Sequence, residues 1–147
     1  MAEKILISRI FDAALALIDE VNDGSVDDYL ERCPYLAAAF CIETEAIDLL
    51  FRENVGGGIQ PTFSAVSIGM NETFPLSYRF VPAAASYIAA MLVLEENEEL
   101  YEKLYSRYCD QISAICAEIP GASEKIVEIY GVLKIKVKNS CFKCICI

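Results

Sequence analysis

The sequence contains no histidine. The usual general base and the commonest metal ligand of proteins are therefore both missing. Acid–base chemistry is left to carboxylates and cysteines, and nothing in the pattern marks out two of the 22 acids as a working pair. Cations are scarce too: 12 Lys and Arg stand against 22 Asp and Glu, a net charge of −10. This speaks against ordinary nucleic-acid binding, which needs clustered cations to neutralise phosphates. Long apolar runs are also lacking. The longest uncharged one, residues 80–94, is shorter than the roughly 20 residues a membrane-spanning helix needs. Gly56-Gly57-Gly58 has no Lys-Ser/Thr behind it and no buried strand before it, so it reads as a joint and not a phosphate loop. No secretion signal is expected, because the first residues already form an amphipathic helix with acids. Without a signal, the odd count of seven cysteines points to a reducing compartment.

What is present is an ordered, apolar chain. Its 147 residues suit one domain with a sizeable core. Hydrophobic residues make up 55% and charged residues 23%, which argues against disorder. The centre is residues 78–119. Positions 80–94 carry no charge and are dense in alanine, so a helix there must be wrapped on all sides. Glu95-Glu96-Asn97 turns the chain. Asn97 is placed to cap a second helix, with Glu98 and Glu99 at its positive end. Leu100, Leu104, Tyr108, Ile112, Ile115 and Ile119 form its inner stripe, and Tyr101, Tyr105 and Cys109 a row beside it. Pro82 suits the first turn of the apolar helix, and Pro120-Gly121 stops the second.

Around this hairpin the periodicity gives two more helices. Over residues 3–21, Leu6, Ile10, Ala13, Ala14, Leu17 and Val21 recur at three and four, with Ile5, Phe11, Leu15 and Ile18 widening the face. Asn22-Asp23-Gly24 ends that helix. Ser25-Val26-Asp27-Asp28 resembles a capping box that opens the next. Pro34 should bend it or start a new helix. From Tyr35 to Arg52, Leu36, Phe40, Ile47, Leu50 and Phe51 face in, while Glu43, Glu45, Asp48 and Glu53 face out. Val66, Ile68 and Met70, then Phe74, Leu76 and Tyr78, alternate across Asn71-Glu72-Thr73, a β-like loop or hairpin around 62–78. A loop this long is often a contact element.

Residues 122–133 read as a short helix or turn. From Leu133 the chain alternates strictly, with Leu133, Ile135 and Val137 on one face and Lys134, Lys136 and Lys138 on the other. Residues 134–147 hold four lysines and no acid. Removing them from the 12 cations leaves eight against 22 acids, a body at −14. A strand without a partner seeks an edge, so Leu133, Ile135 and Val137 are candidate partner-binding residues. A strand folded back on a hairpin over 65–78, or plain disorder, is the bland alternative. Tyr101 and Tyr105 are the other candidates. They lack the basic neighbours of a base-stacking platform, so packing comes first and a subunit interface second. The acids from Glu95 to Glu102 read as a solvated helix corner and lack the alternating ligands of a calcium loop. Cys141-x-x-Cys144-x-Cys146 supplies three thiols of the four ligands zinc wants, and reads first as an apolar tail with incidental thiols. The expectation is a mainly α protein: a bundle of about four helices over 1–133, with a basic, Cys-rich, strand-like tail over 134–147. Neither enzymatic machinery nor a cofactor or metal site is expected.

Several stretches resemble a helical head–tail connector family of tailed phages and prophages. They are the run from Ala14 to Glu20, then Asp27 to Pro34, then Ala89 to Asn97 with Tyr105-Ser106-Arg107-Tyr108, and last Ile129-Tyr130-Gly131. Their order and spacing carry the likeness, over about residues 5–133. The family's Arg-Ala-Pro stands here as Arg32-Cys33-Pro34, and the tail after Leu133 departs from the pattern. The resemblance implies a non-enzymatic virion part of the neck, made in the host cytoplasm. It would form a homo-oligomeric ring, dodecameric in the family, beneath the portal protein and against a tail or stopper protein. DNA would pass through without specific binding, and no membrane is involved. A cellular helical adaptor is the alternative, and a small metal- or redox-responsive cysteine protein a more remote one.

Overall fold

The structure, a computed structural model, describes residues 3–19 and 26–120. Among the described residues four α-helices follow in order: α1 (Ile7–Leu17), α2 (Asp27–Asn54), α3 (Val81–Val93) and α4 (Glu98–Glu118). A single 3₁₀ turn, Tyr78–Phe80, leads into α3. The architecture is therefore mainly helical, as the periodicities imply.

Helix α3 is the axis. It packs against α1, α2 and α4, and its residues from Ala83 to Ala90 are all buried. Alanine is what allows this, because small side chains let three helices approach one another closely. Pro82 sits in the first turn of α3, where its missing N–H has no helical acceptor to lose. The Asn97 side chain accepts from the Leu100 amide at 3.1 Å and so caps α4. Leu104, Tyr108, Ile112, Ile115 and Ile119 are buried, as their spacing requires, and Leu100 is half-buried. At the far end Arg79 donates from Nε to Glu118 Oε1 at 3.1 Å, holding the start of α3 to the end of α4.

Helix α1 is shorter than its apolar periodicity suggests. Residues before Ile7 are extended, because they pair with the loop that follows α2. Leu6 forms an antiparallel bridge with Thr73, and the Phe74 amide donates to Ile5 O at 2.7 Å. Ile7 and Ser8 donate to Glu72 O and Met70 O, each at 3.0 Å. Loop carbonyls thus take the place of a side-chain cap on α1. Asp19, at φ 59°, ends the helix before Asn22-Asp23-Gly24 is reached; Asp is among the residues that tolerate the left-handed region.

Pro34 does not begin a new helix: α2 runs continuously across it. The Pro34 carbonyl instead accepts from the Ile68 amide at 3.0 Å, fixing a point of the long loop. Residues 62–78 form no hairpin. Their β character is confined to the one bridge at Thr73. Turn chemistry displaces strand pairing here. Ser64 Oγ accepts from Val66 N and Ser67 N at 3.2 and 3.4 Å, and Glu72 closes a turn on Gly69. The supposed apolar face is split accordingly, with Ile68 buried and Val66 exposed. The helix or turn read at 122–133 and the strand-like tail of 134–147 lie outside the described residues.

Candidate interaction surfaces

The first site is built around a residue assigned to solvent by its position in α2. Asp48 has no exposed surface. The helix places it one turn before Arg52, and Arg52 Nε donates to Asp48 Oδ2 at 2.8 Å. Gln60 Nε2 donates to the same oxygen at 2.8 Å. Oδ1 accepts from the Ser77 amide at 2.9 Å and from Ser77 Oγ at 2.6 Å. Both oxygens are thus saturated, which is the condition for burying a carboxylate. The expectation that Asp48 faces out fails because Gln60 and Ser77, distant in sequence, supply the donors that water would have supplied.

Arg52 extends this centre into the loop. Its guanidinium donates to Gly57 O at 2.7 Å, to Ile59 O at 3.2 Å and to Pro75 O at 3.2 Å. The chain reaches that position by a run of positive φ at Gly56, Gly57 and Gly58, which side chains disfavour. The glycine joint therefore wraps a cation. Residues 55–77 are held to α2 at both ends, while Ile59 stays 95% exposed and Val66 69% exposed. A cleft of about 330 Å³ opens alongside, lined by Ile5, Phe51, Arg52, Gly57, Phe74 and Tyr78 among others.

The second site is an aromatic ladder between α4, α3 and α2. Tyr101 and Tyr105 stack with centroids 5.5 Å apart, and Tyr105 meets Tyr108 at 5.5 Å. Tyr108 packs edge-on to Tyr87 at 5.2 Å, and Phe40 lies 5.7 Å from Tyr87. Tyr101 and Tyr105 are the half-buried outer rungs; Tyr108, Tyr87 and Phe40 are buried. The candidate tyrosines Tyr101 and Tyr105 therefore pack along the ladder and leave part of their surface in solvent. Glu43 stands at the margin and accepts from Tyr108 Oη at 3.4 Å. Burial pushes the Glu43 carboxyl above its ordinary range, and the Tyr108 hydroxyl partly offsets this. Burial, reinforced by the Glu43 charge, also raises Tyr87, Tyr105 and Tyr108.

Leu133, Ile135, Val137 and the three terminal cysteines lie outside the described residues. Among the described residues no group of three potential ligands is arranged to hold a metal ion, and no helix is long and apolar enough to cross a membrane. Cys33 and Cys41 are buried, and burial pushes both thiols up to about 12. At neutral pH they are therefore protonated and weak as nucleophiles or ligands. Glu95, Glu96, Glu98, Glu99 and Glu102 are exposed on the corner between α3 and α4. Glu99 pairs with Lys103 at 2.8 Å, and Tyr29 donates to Glu96.

A further apolar surface lies on the outer side of α2. Tyr35, Ile42 and Leu49 lie seven residues apart on α2 and are 61%, 44% and 46% exposed. The half-buried Ala39 and Ala46 fall between them. Cys33, Phe40, Ile47 and Phe51 are buried on the opposite side. Helix α2 is thus apolar on two faces, one of them outward. The spacing of Tyr35, Ile42 and Leu49 was the available signal.

Comparison with protein-family models, with curated proteins and with solved structures finds no match.

Proposed function

We propose that this chain is a structural assembly protein, a head–tail connector whose copies form a ring beneath a portal and join it to a tail or stopper protein. The likeness of Arg32-Cys33-Pro34 and the central hairpin to that family supports the reading. So does the part these residues play in the fold. Arg32 donates to the Met91 carbonyl at 3.0 Å at the end of α3, Cys33 is fully buried, and Pro34 holds the loop at Ile68. The observation that carries the proposal is the loop itself. A saturated buried carboxylate and an arginine with three loop acceptors hold residues 55–77 in place, and the result is to present Ile59 and Val66 to solvent. Exposed apolar side chains on a fixed loop suit protein contact better than chemistry. The −10 charge suits a channel through which DNA slides without adhering.

The test is affinity capture of the tagged full chain from cells making the parent particle. Portal and tail-completion proteins should be recovered. Ile59→Asp with Val66→Asp should cut that recovery at least about tenfold while helical content is unchanged, as expected for residues at the centre of an interface. Recovery of host proteins alone, from cells shown to be assembling particles, would replace the connector with a cellular adaptor.

A further inference from the structure

The outward stripe of α2 needs an occupant, and its surroundings say which kind. Tyr35, Ala39, Ile42, Ala46 and Leu49 follow alternating steps of four and three, the seam by which helices and apolar segments dock. From Tyr35 to Leu49 the seam is about 21 Å long at 1.5 Å per residue. Helical spacing puts Glu31 and Glu53 at its two ends, and Glu43 and Glu45 on its two sides. Two α2 helices packed through this seam would bring acid against acid, which disfavours a symmetric pairing of copies. The occupant should be apolar along one line and basic beside it.

The described surface offers little of that kind. Arg32, Arg52, Arg79 and Lys103 are each in an ion pair within the domain. Lys4, Arg9 and Arg107 are scattered over the termini and two helices. The chain beyond Pro120 does offer it. Leu133-Lys134-Ile135-Lys136-Val137-Lys138 alternates apolar with basic, and no acid follows Glu128. Fully extended, 133–138 would cover about 17 Å, close to the length of the seam.

The point of departure also fits. Arg79 ties the end of α4 to the turn that opens α3, and Phe51 of α2 meets Phe80 of that turn at 6.0 Å. The chain therefore leaves α4 at the end of the bundle where Leu49 and Glu53 lie. Residues 121–132 can reach roughly 40 Å at most, ample to pass around a bundle whose helix axes lie about 8–10 Å apart. A tethered segment also meets its dock at an effective concentration of the order of millimolar.

We propose that the outer stripe of α2 is the docking site for residues 133–138 of the same chain. Leu133, Ile135 and Val137 cover the seam, and the lysines face its bordering carboxylates. The inference goes beyond the connector reading and does not depend on it, since it concerns the isolated chain.

A photoreactive benzoylphenylalanine placed at Ile42 of the full chain, and separately at Leu49, tests this in dilute solution. Both positions are exposed enough to accept the label without disturbing the core. Irradiation should give a product of monomer mass, with the link mapping to the peptide that contains residues 133–138. Its yield should not vary with protein concentration. Glu45→Lys with Glu53→Lys should reduce the yield several-fold, and adding Lys134→Glu, Lys136→Glu and Lys138→Glu should restore it. A dimer-mass product would assign the stripe to a second copy and overturn the proposal. A link elsewhere, or none from either position in protein of native helical content, would overturn it equally.

Discussion

Asp48 shows no surface to solvent, and its oxygens accept four hydrogen bonds from Arg52, Gln60 and Ser77. Taking one member from such a pair leaves a largely buried charge without compensation, which typically costs about 3–5 kcal/mol. Asp48→Ala should lower the unfolding free energy by that amount, read as a fall in the urea midpoint. The same change should release residues 55–77, so limited proteolysis should cut there first. Arg52→Lys should be milder in stability yet similar in the loop, because an ammonium cannot span the Gly57, Ile59 and Pro75 carbonyls at once. The site was illegible in the sequence for a definite reason. A carboxylate three residues from Glu45 and four from Arg52 looks like an exposed helical pair, and what buries it comes from Gln60 and Ser77 across a loop.

Among the elements, the aromatic ladder carries the pH dependence. Tyr87 and Tyr108 have folded values raised above the 10.0 of an unfolded tyrosine, through burial first and the Glu43 charge second. Above pH 10 the unfolded chain sheds phenolic protons while the folded chain keeps them, so stability falls as pH rises. The contribution is whole below about pH 10 and is lost on approach to the folded values. We expect alkaline unfolding to begin near pH 10, with a cooperative rise of tyrosinate absorbance. Tyr108→Phe should blunt it. The helices themselves were legible. Asn97 caps α4, Pro82 opens α3, and the inner stripe from Leu104 to Ile119 is buried as its spacing requires. The loop was not, because alternation at Val66, Ile68 and Met70 mimics a strand, whereas Ser64, Glu72 and the Pro34 carbonyl take the hydrogen bonds a strand would need. The outer stripe of α2 is hard to see in the sequence because one helix with two apolar faces blurs the single period by which facing is judged.

For the molecule as a whole, charge governs what it leaves alone. At −10, the full chain should show no retention on duplex DNA even at low salt, where cationic contacts are strongest. A mobility shift would mean that the lysines of the tail act independently of the acidic body. The seam between the first helix and the loop has another consequence, one of timing. Helices α3 and α4 are neighbours in sequence and can meet early. The amides of Ile7 and Ser8 find their acceptors only at Glu72 and Met70, more than sixty residues along the chain. Closing so long a span is slow relative to local pairing. The start of α1 should therefore be among the last parts to form and the first to open. Hydrogen exchange should find the Ile7, Ser8 and Phe74 amides opening together as one unit, ahead of the amides within α3.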